Sequence, residues 1–303
     1  MDFGTILQTI FNFENYGELL ELVQNSIWAG AVLGLLGGMV GTFVMKRDLA
    51  FAVHGISELS FAGAAFALLI GADIVLGSLI GSVAAALLLG LMGVRARDKN
   101  SIIGVIMPFG LGLGILFLAL YEGRAANKFG LLTGQIVSVD TVQLQALAGT
   151  AVVVMLVLSL IWRPLSFASV DPDMAEARGV PVRGLAIGFM VLLGVSVALS
   201  IQIVGALLVL ALLITPAAAA LRVSTSPKVV LLLSVAFAMT ATVGGILLAL
   251  GSRIPISPYV TTLSFLIYVV CRVIGGVRAR GGHNGRITRT AGADAQAKVG
   301  AGA

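Results

Sequence analysis

The sequence predicts an all-α integral membrane protein, a polytopic bundle of about nine transmembrane helices. Three observations carry this. Of 303 residues, 58% are hydrophobic and only 11% charged, whereas a soluble domain is about 45–50% apolar and about 25% charged. Apolar runs recur at the length of about 20 residues that a helix needs to cross a bilayer. The 38 glycines are spread through those runs, as suits helices that approach closely in lipid. The same composition excludes a soluble enzyme, and a disordered chain except at the ends. With one cysteine, Cys271, a disulfide scaffold is excluded too. The net charge of +5 does not point to nucleic acid. Lys and Arg lie between apolar runs and aromatic residues are not interleaved with them.

Taken in chain order, residues 1–24 are acidic, with Asp2, Glu14, Glu18 and Glu21, and lack the basic start of a signal peptide. Phe3, Ile6, Leu7, Ile10 and Phe11 recur at helical spacing, so the segment is expected to be an extracytoplasmic interfacial helix. Crossing runs follow at about 25–45, 50–71, 73–94, 101–121, 141–162, 184–201, 203–221, 228–250 and 257–275. The first carries Gly30, Gly34 and Gly38, the third Gly77 and Gly81, and the sixth Gly184 and Gly188. Small residues four apart favour close helix packing. Pro108 with Gly110, Gly112 and Gly114 predicts an irregular fourth helix. A tight turn at Gln202 is expected between the sixth and seventh runs. Residues 277–303, rich in Gly, Ala and Arg, are expected to be a disordered tail. His283 lies in that tail, and a lone histidine there carries little weight as a metal ligand.

Sixteen of the 19 Lys and Arg residues fall on the side reached after the first, third, fifth, seventh and ninth runs. The positive-inside rule makes that side cytoplasmic. The N-terminus is then outside, the C-terminus inside, in a multi-pass plasma-membrane protein.

Within the runs, His54 and Glu58 stand out as strongly polar. A carboxylate at the bilayer centre costs roughly 2.5–3.5 kcal/mol even on the lenient scale, so something must compensate. Four apart, the two side chains share one helix face. An imidazole and a carboxylate are ligands that suit zinc and manganese. Two are too few for a structural zinc site but enough for a way-station that releases its ion. A hydrogen-bonded pair gluing two helices and a proton relay are the other readings.

The longest loop on the basic side contains a well-specified short helix. Asp171 can cap it and Pro172 is preorganised for its first turn. Asp173 complements the helix dipole, Gly179 suits a left-handed end, and Pro181 prevents continuation. Met174, Ala175 and Ala177 offer apolar contacts, and the helix is expected to dock on a partner.

Four stretches resemble the permease family of ABC importers for divalent metals, the zinc and manganese class. They are Gly37-Gly38-Met-Val-Gly41-Thr-Phe-Val-Met-Lys-Arg47, the stretch Leu49–Gly63 around His54 and Glu58, Asp171–Pro181, and Val204–Ala220 with Gly205, Thr215 and Pro216. The resemblance as a whole spans residues 25–276, nearly all of the membrane part. In the second stretch the family usually has an Asp followed four residues on by a His. Here His54 and Glu58 stand in the reverse order.

The resemblance implies a fold similar to the vitamin B12 and iron-chelate importer permeases. It implies a homodimer with its pathway at the dimer axis, two cytosolic ABC ATPase subunits and an extracytoplasmic metal-binding protein. The transported zinc or manganese would be cargo, with no permanently bound cofactor. Residues 171–179 look like the family's coupling helix, which makes Asp171, Pro172, Asp173, Met174, Ala175, Glu176, Arg178 and Gly179 candidate contacts to the ATPase. The chain has no Gly-x4-Gly-Lys-Ser/Thr phosphate loop, so it is read as a transport subunit and not an enzyme. The rival classes are an iron-chelate or cobalamin permease, a proton-coupled secondary transporter and a non-transporting scaffold. The capped helix argues against the secondary transporter, and the buried ionisable pair against the scaffold.

Overall fold

The computed structural model describes residues 16–93, 99–123, 139–205, 208–250, 252 and 255–300. It is an all-helical bundle. The first fifteen residues of the expected interfacial segment lie outside the described residues. A short helix α1 (Tyr16–Leu22) leads into α2 (Gln24–Lys46), α3 (Ala50–Leu69), α4 (Ile74–Gly93) and α5 (Lys99–Leu120). Then come α6 (Thr141–Val170), α7 (Pro172–Ala177), α8 (Val182–Val204), α9 (Val209–Leu213), α10 (Thr215–Val223), α11 (Pro227–Ala249) and α12 (Ile256–Gly300). Among the described residues, eight helices are long and apolar enough to cross a membrane. α2, α3 and α8 form the buried centre, while α5, α6 and α12 turn most of their apolar surface outward. α3 packs on α4 and α5, α2 on α11 and α6, and α8 on α4 and α6.

Glycine decides the closest of these contacts. On α2, two glycine stripes serve two neighbours. A Cβ at Gly34 would lie 2.8 Å from Met239 Cα, and one at Gly38 2.5 Å from Val235 Cα, both on α11. Gly37 and Gly41 instead abut the Leu212 and Leu213 carbonyl oxygens of α9. The bared α2 carbonyls take hydroxyl donors from α11. Thr242 Oγ1 donates to Gly30 O at 2.9 Å and Ser234 Oγ to Gly38 O at 2.8 Å. Gly63 of α3 meets Gly77 and Gly81 of α4 backbone to backbone, and Ser60 Oγ lies 2.8 Å from Ser78 Oγ beside them. Gly184 and Gly188 behave differently. Their open sides have no neighbour from another helix, and they line a shallow apolar groove with Val157 and Ile161.

Four local expectations are corrected. The turn expected at Gln202 comes at Gly205, because α8 runs on to Val204 and Gly205 takes φ 78°, a conformation glycine adopts at little cost. The seventh run is not one rod. It breaks into α9 and α10 around Ile214, and Pro216, lacking an N–H, sits in the first turn of α10 where no donor is needed. α6 does not stop at Trp162 but continues through Pro164 to Val170. At 30 residues it is about 45 Å long, well beyond a hydrocarbon core of about 30 Å. α5 is helical straight through Pro108, and Gly110 and Gly114 serve as contact points on α3 rather than as breaks. Beyond these, α12 runs from Ile256 to Gly300 and so includes most of the tail expected to be disordered from 277.

Candidate functional site: an ionisable pair and a stalked helix

α3 carries His54 and Glu58 one turn apart. Nε2 of His54 lies 3.5 Å from Oε1 of Glu58, longer than the usual hydrogen bond of about 2.9 Å. The contact stays within one helix and joins no two helices, so it does not act as interhelical glue. The side chains are 32% and 12% exposed. Phe51 and Phe66, at 61% and 47% exposed, extend the same face by a turn or two on either side. The pair therefore sits on a face of α3 that this chain only partly covers. Among the described residues no third His, Cys, Asp or Glu joins it to make a metal-binding group.

α5 forms one wall. A Cβ at Gly110 would stand 3.2 Å from Glu58 Cβ and 3.1 Å from the Glu58 carbonyl carbon, and Gly114 abuts the Phe61 ring. These two glycines let α5 lie against the polar turn while adding no side chain there. Their spacing of four was a sequence signal for such a contact, and it was read as irregularity. Phe66 and Phe117 pack with their rings tilted by 55° and 5.2 Å between centroids, and close the next level.

The second feature is α7, carried on the end of α6 beyond the apolar crossing length. Asp171 Oδ1 accepts from Met174 N at 2.9 Å, and Pro172 occupies the first turn. Gly179 takes φ 79°. Ala175 alone in this helix is fully buried and anchors it to the body. Arg178 lies over the Phe167 ring at 5.9 Å. Asp173, Met174 and Glu176 face outward, with Met174 49% exposed. Sequence reasoning grouped these residues together. Asp171, Pro172, Ala175, Arg178 and Gly179 also shape the helix itself, and of the eight only Ala175 is buried. Gly179→Ala is expected to loosen the end of α7 by about 1 kcal/mol, since Ala is strained at positive φ. Hydrogen exchange of the amides from Met174 to Val180 reads this as faster exchange. An unchanged rate would mean that the turn does not hold the helix.

The motif residues Gly205, Thr215 and Pro216 lie in the broken segment. Gly205 ends α8, while Thr215 and Pro216 open α10. They are not beside His54 and Glu58 in sequence or helix. They flank α9, whose Leu212 and Leu213 carbonyl oxygens lie against Gly37 and Gly41.

A bundle of crossing helices, with an ionisable pair on a partly open face and a stalked polar helix, is the architecture of a polytopic membrane protein. Residues 19–275 match the ABC 3 transport family, and the chain belongs to that family. It is 31% identical over 225 residues to the manganese transport system membrane protein MntC of Halalkalibacterium halodurans, covering 74% of this chain and 77% of that one. It is 28% identical over 251 residues to the manganese import system permease protein ScaB of Streptococcus gordonii, covering 82% and 90%. It is 24% identical over 257 residues to the high-affinity zinc uptake system membrane protein ZnuB of Haemophilus influenzae, covering 83% and 97%. The structure of PsaBC from Streptococcus pneumoniae in complex with Fab superposes with a TM-score of 0.76 at 25% identity, covering 84% of this chain and 94% of that one.

Proposed function

We propose that this chain is the membrane-spanning subunit of an ABC importer that moves a divalent metal ion, manganese or zinc, into the cytoplasm, driven by ATP hydrolysis on separate subunits. The observation that carries the reading is the placement of His54 and Glu58. A carboxylate and an imidazole on a partly open intramembrane face would be costly against lipid. A second copy of the chain covering that face removes the cost. Two copies related by a twofold axis bring two imidazoles and two carboxylates together, a donor set suited to manganese and zinc. The relatives named above for manganese and zinc support the cargo class.

In this mechanism an extracytoplasmic binding protein delivers the ion to the outer mouth. The His54 and Glu58 side chains hold it briefly, since few ligands and partial exposure favour release. Two cytosolic ATPase subunits engage the outward residues Asp173, Met174 and Glu176 of α7 in each copy. Because Ala175 ties α7 to the body and α6 is a continuous rod behind it, displacement of α7 is passed to the membrane helices. The orientation follows from the Lys and Arg distribution, with α7 in the cytoplasm.

The test is metal content by mass spectrometry in cells lacking this gene, with and without complementation. A selective fall in manganese or zinc, restored by the wild-type chain, names the cargo. Unchanged manganese and zinc would overturn the assignment. The docking role has its own readout. Glu176→Arg is expected to lower co-purification of the ATPase at least about fivefold, as expected for reversing one interface charge, with the permease itself still folded. Equal recovery of the ATPase would remove Glu176 from the interface.

A further inference from the structure

A cavity of about 670 Å³ opens on the α7 side of the bundle, between the turn after α2, the end of α4, the start of α5 and the start of α8. It is separate from the His54–Glu58 face, since neither residue lines it. Its polar rim carries three cations, Lys46, Arg47 and Arg183, and two carboxylates, Asp48 and Glu176. Among the described residues these cations form no ion pair with either carboxylate. Arg47 and Lys46 are fixed by other means. Arg47 Nη1 donates to Ser169 Oγ at 3.2 Å, and the guanidinium lies 5.9 Å from the Phe189 centroid. Lys46 Nζ sits 5.6 Å from the Phe43 ring. The aromatic floor is itself packed, with Phe43 edge-on to Trp162 at 4.5 Å. Two cations are thus held in place at the membrane boundary, with Arg183 on the opposite rim.

The rest of the lining is apolar. Leu89, Met92, Ile102 and Ile103 run from the rim toward the crossing parts of α4 and α5, and Met92 is 46% exposed at the edge. A cluster of cations above an apolar trough at the membrane boundary matches an amphiphile with an anionic head and a hydrocarbon tail. We propose that this cavity binds a phosphate-bearing anion, presented by an anionic phospholipid whose headgroup lies among Lys46, Arg47 and Arg183 and whose acyl chain lies along Met92 and Ile102. Because Pro172 and Glu176 of α7 share the lining, the bound lipid would touch the helix that faces the ATPase.

The test is native mass spectrometry of the full-length chain released from detergent, with phosphatidylglycerol, phosphatidylcholine or inorganic phosphate added. Selective retention of phosphatidylglycerol is expected, weakened about fivefold for each cation removed in Arg183→Gln and Lys46→Gln. Lys46→Arg, which keeps the charge, is expected to retain the lipid. Met92→Trp, which fills the trough and leaves every cation in place, is expected to lower retention as well. Equal retention of phosphatidylcholine, or no change in Arg183→Gln and Met92→Trp, overturns the proposal. Binding of inorganic phosphate with no lipid retained assigns the cations to the free anion and overturns the lipid. None of these readouts depends on transport, so the result stands apart from the proposed import function.

Discussion

Glu58→Gln and His54→Ala are each expected to reduce metal uptake at least about tenfold with protein levels matched, the size of loss common when a metal site is disturbed. The reason lies in placement. The two side chains lie 3.5 Å apart on a face of α3 that the chain leaves partly open. A neutral amide keeps the shape of Glu58 but removes its charge, so a folded yet inactive Glu58→Gln isolates the electrostatic role. Exchanging the pair, His54→Asp with Glu58→His, restores the order usual in the family while keeping both ligand types. It is expected to transport, with a changed ratio of manganese to zinc uptake. If both single variants take up metal like wild type, the pair is not on the ion's path, whatever the family.

Gly41→Ala is the second large effect, and it acts on the fold. A single Cβ there would press on the Leu213 carbonyl oxygen closer than any real Cβ contact. Backbone has no rotamer with which to yield, so the helices must part. The expected cost is about 1–3 kcal/mol, seen as a lowered midpoint of thermal unfolding in detergent. Gly112→Ala and Gly149→Ala are the controls. Neither Cβ would meet anything within 4 Å, and alanine favours helix over glycine by about 0.5–1 kcal/mol. Those two variants are expected to match or exceed wild-type stability. A Gly41→Ala chain that melts with the wild type would show that α2 and α9 are not held at this distance.

The contrast between these glycines shows what the sequence makes legible. Small residues at four-residue spacing mark possible contacts, and on α2, α4 and α5 they are contacts. Nothing local distinguishes Gly34, pressed against Met239, from Gly188, which faces a groove. That depends on which helix arrives, a property of the whole bundle. Asp171, Pro172 and Gly179 were legible because capping and left-handed termination are decided within a few residues. The end of α6 was not: the apolar run ends at about 162, while the helix carries on through Pro164 to Val170. The ionisable pair was legible from the cost of charge in hydrocarbon. Its partly open exposure was not, because exposure is a tertiary fact. The same holds for Ala175, which sequence spacing cannot separate from Met174 or Ala177 but which alone turns inward.

The two glycine stripes of α2 give its neighbours unequal freedom. Toward α11, hydroxyls from Thr242 and Ser234 rivet the helices at two levels. Toward α9, no side-chain hydrogen bond crosses among the described residues, and Gly37 and Gly41 meet the Leu212 side chain and the Leu212 and Leu213 carbonyl oxygens by contact alone. One flank of α2 is thus a fixed seam and the other a bearing. A bundle built this way would shear along the broken α9–α10 segment before its α2–α11 half deformed, so a reorganisation starting at the stalk would meet least friction there.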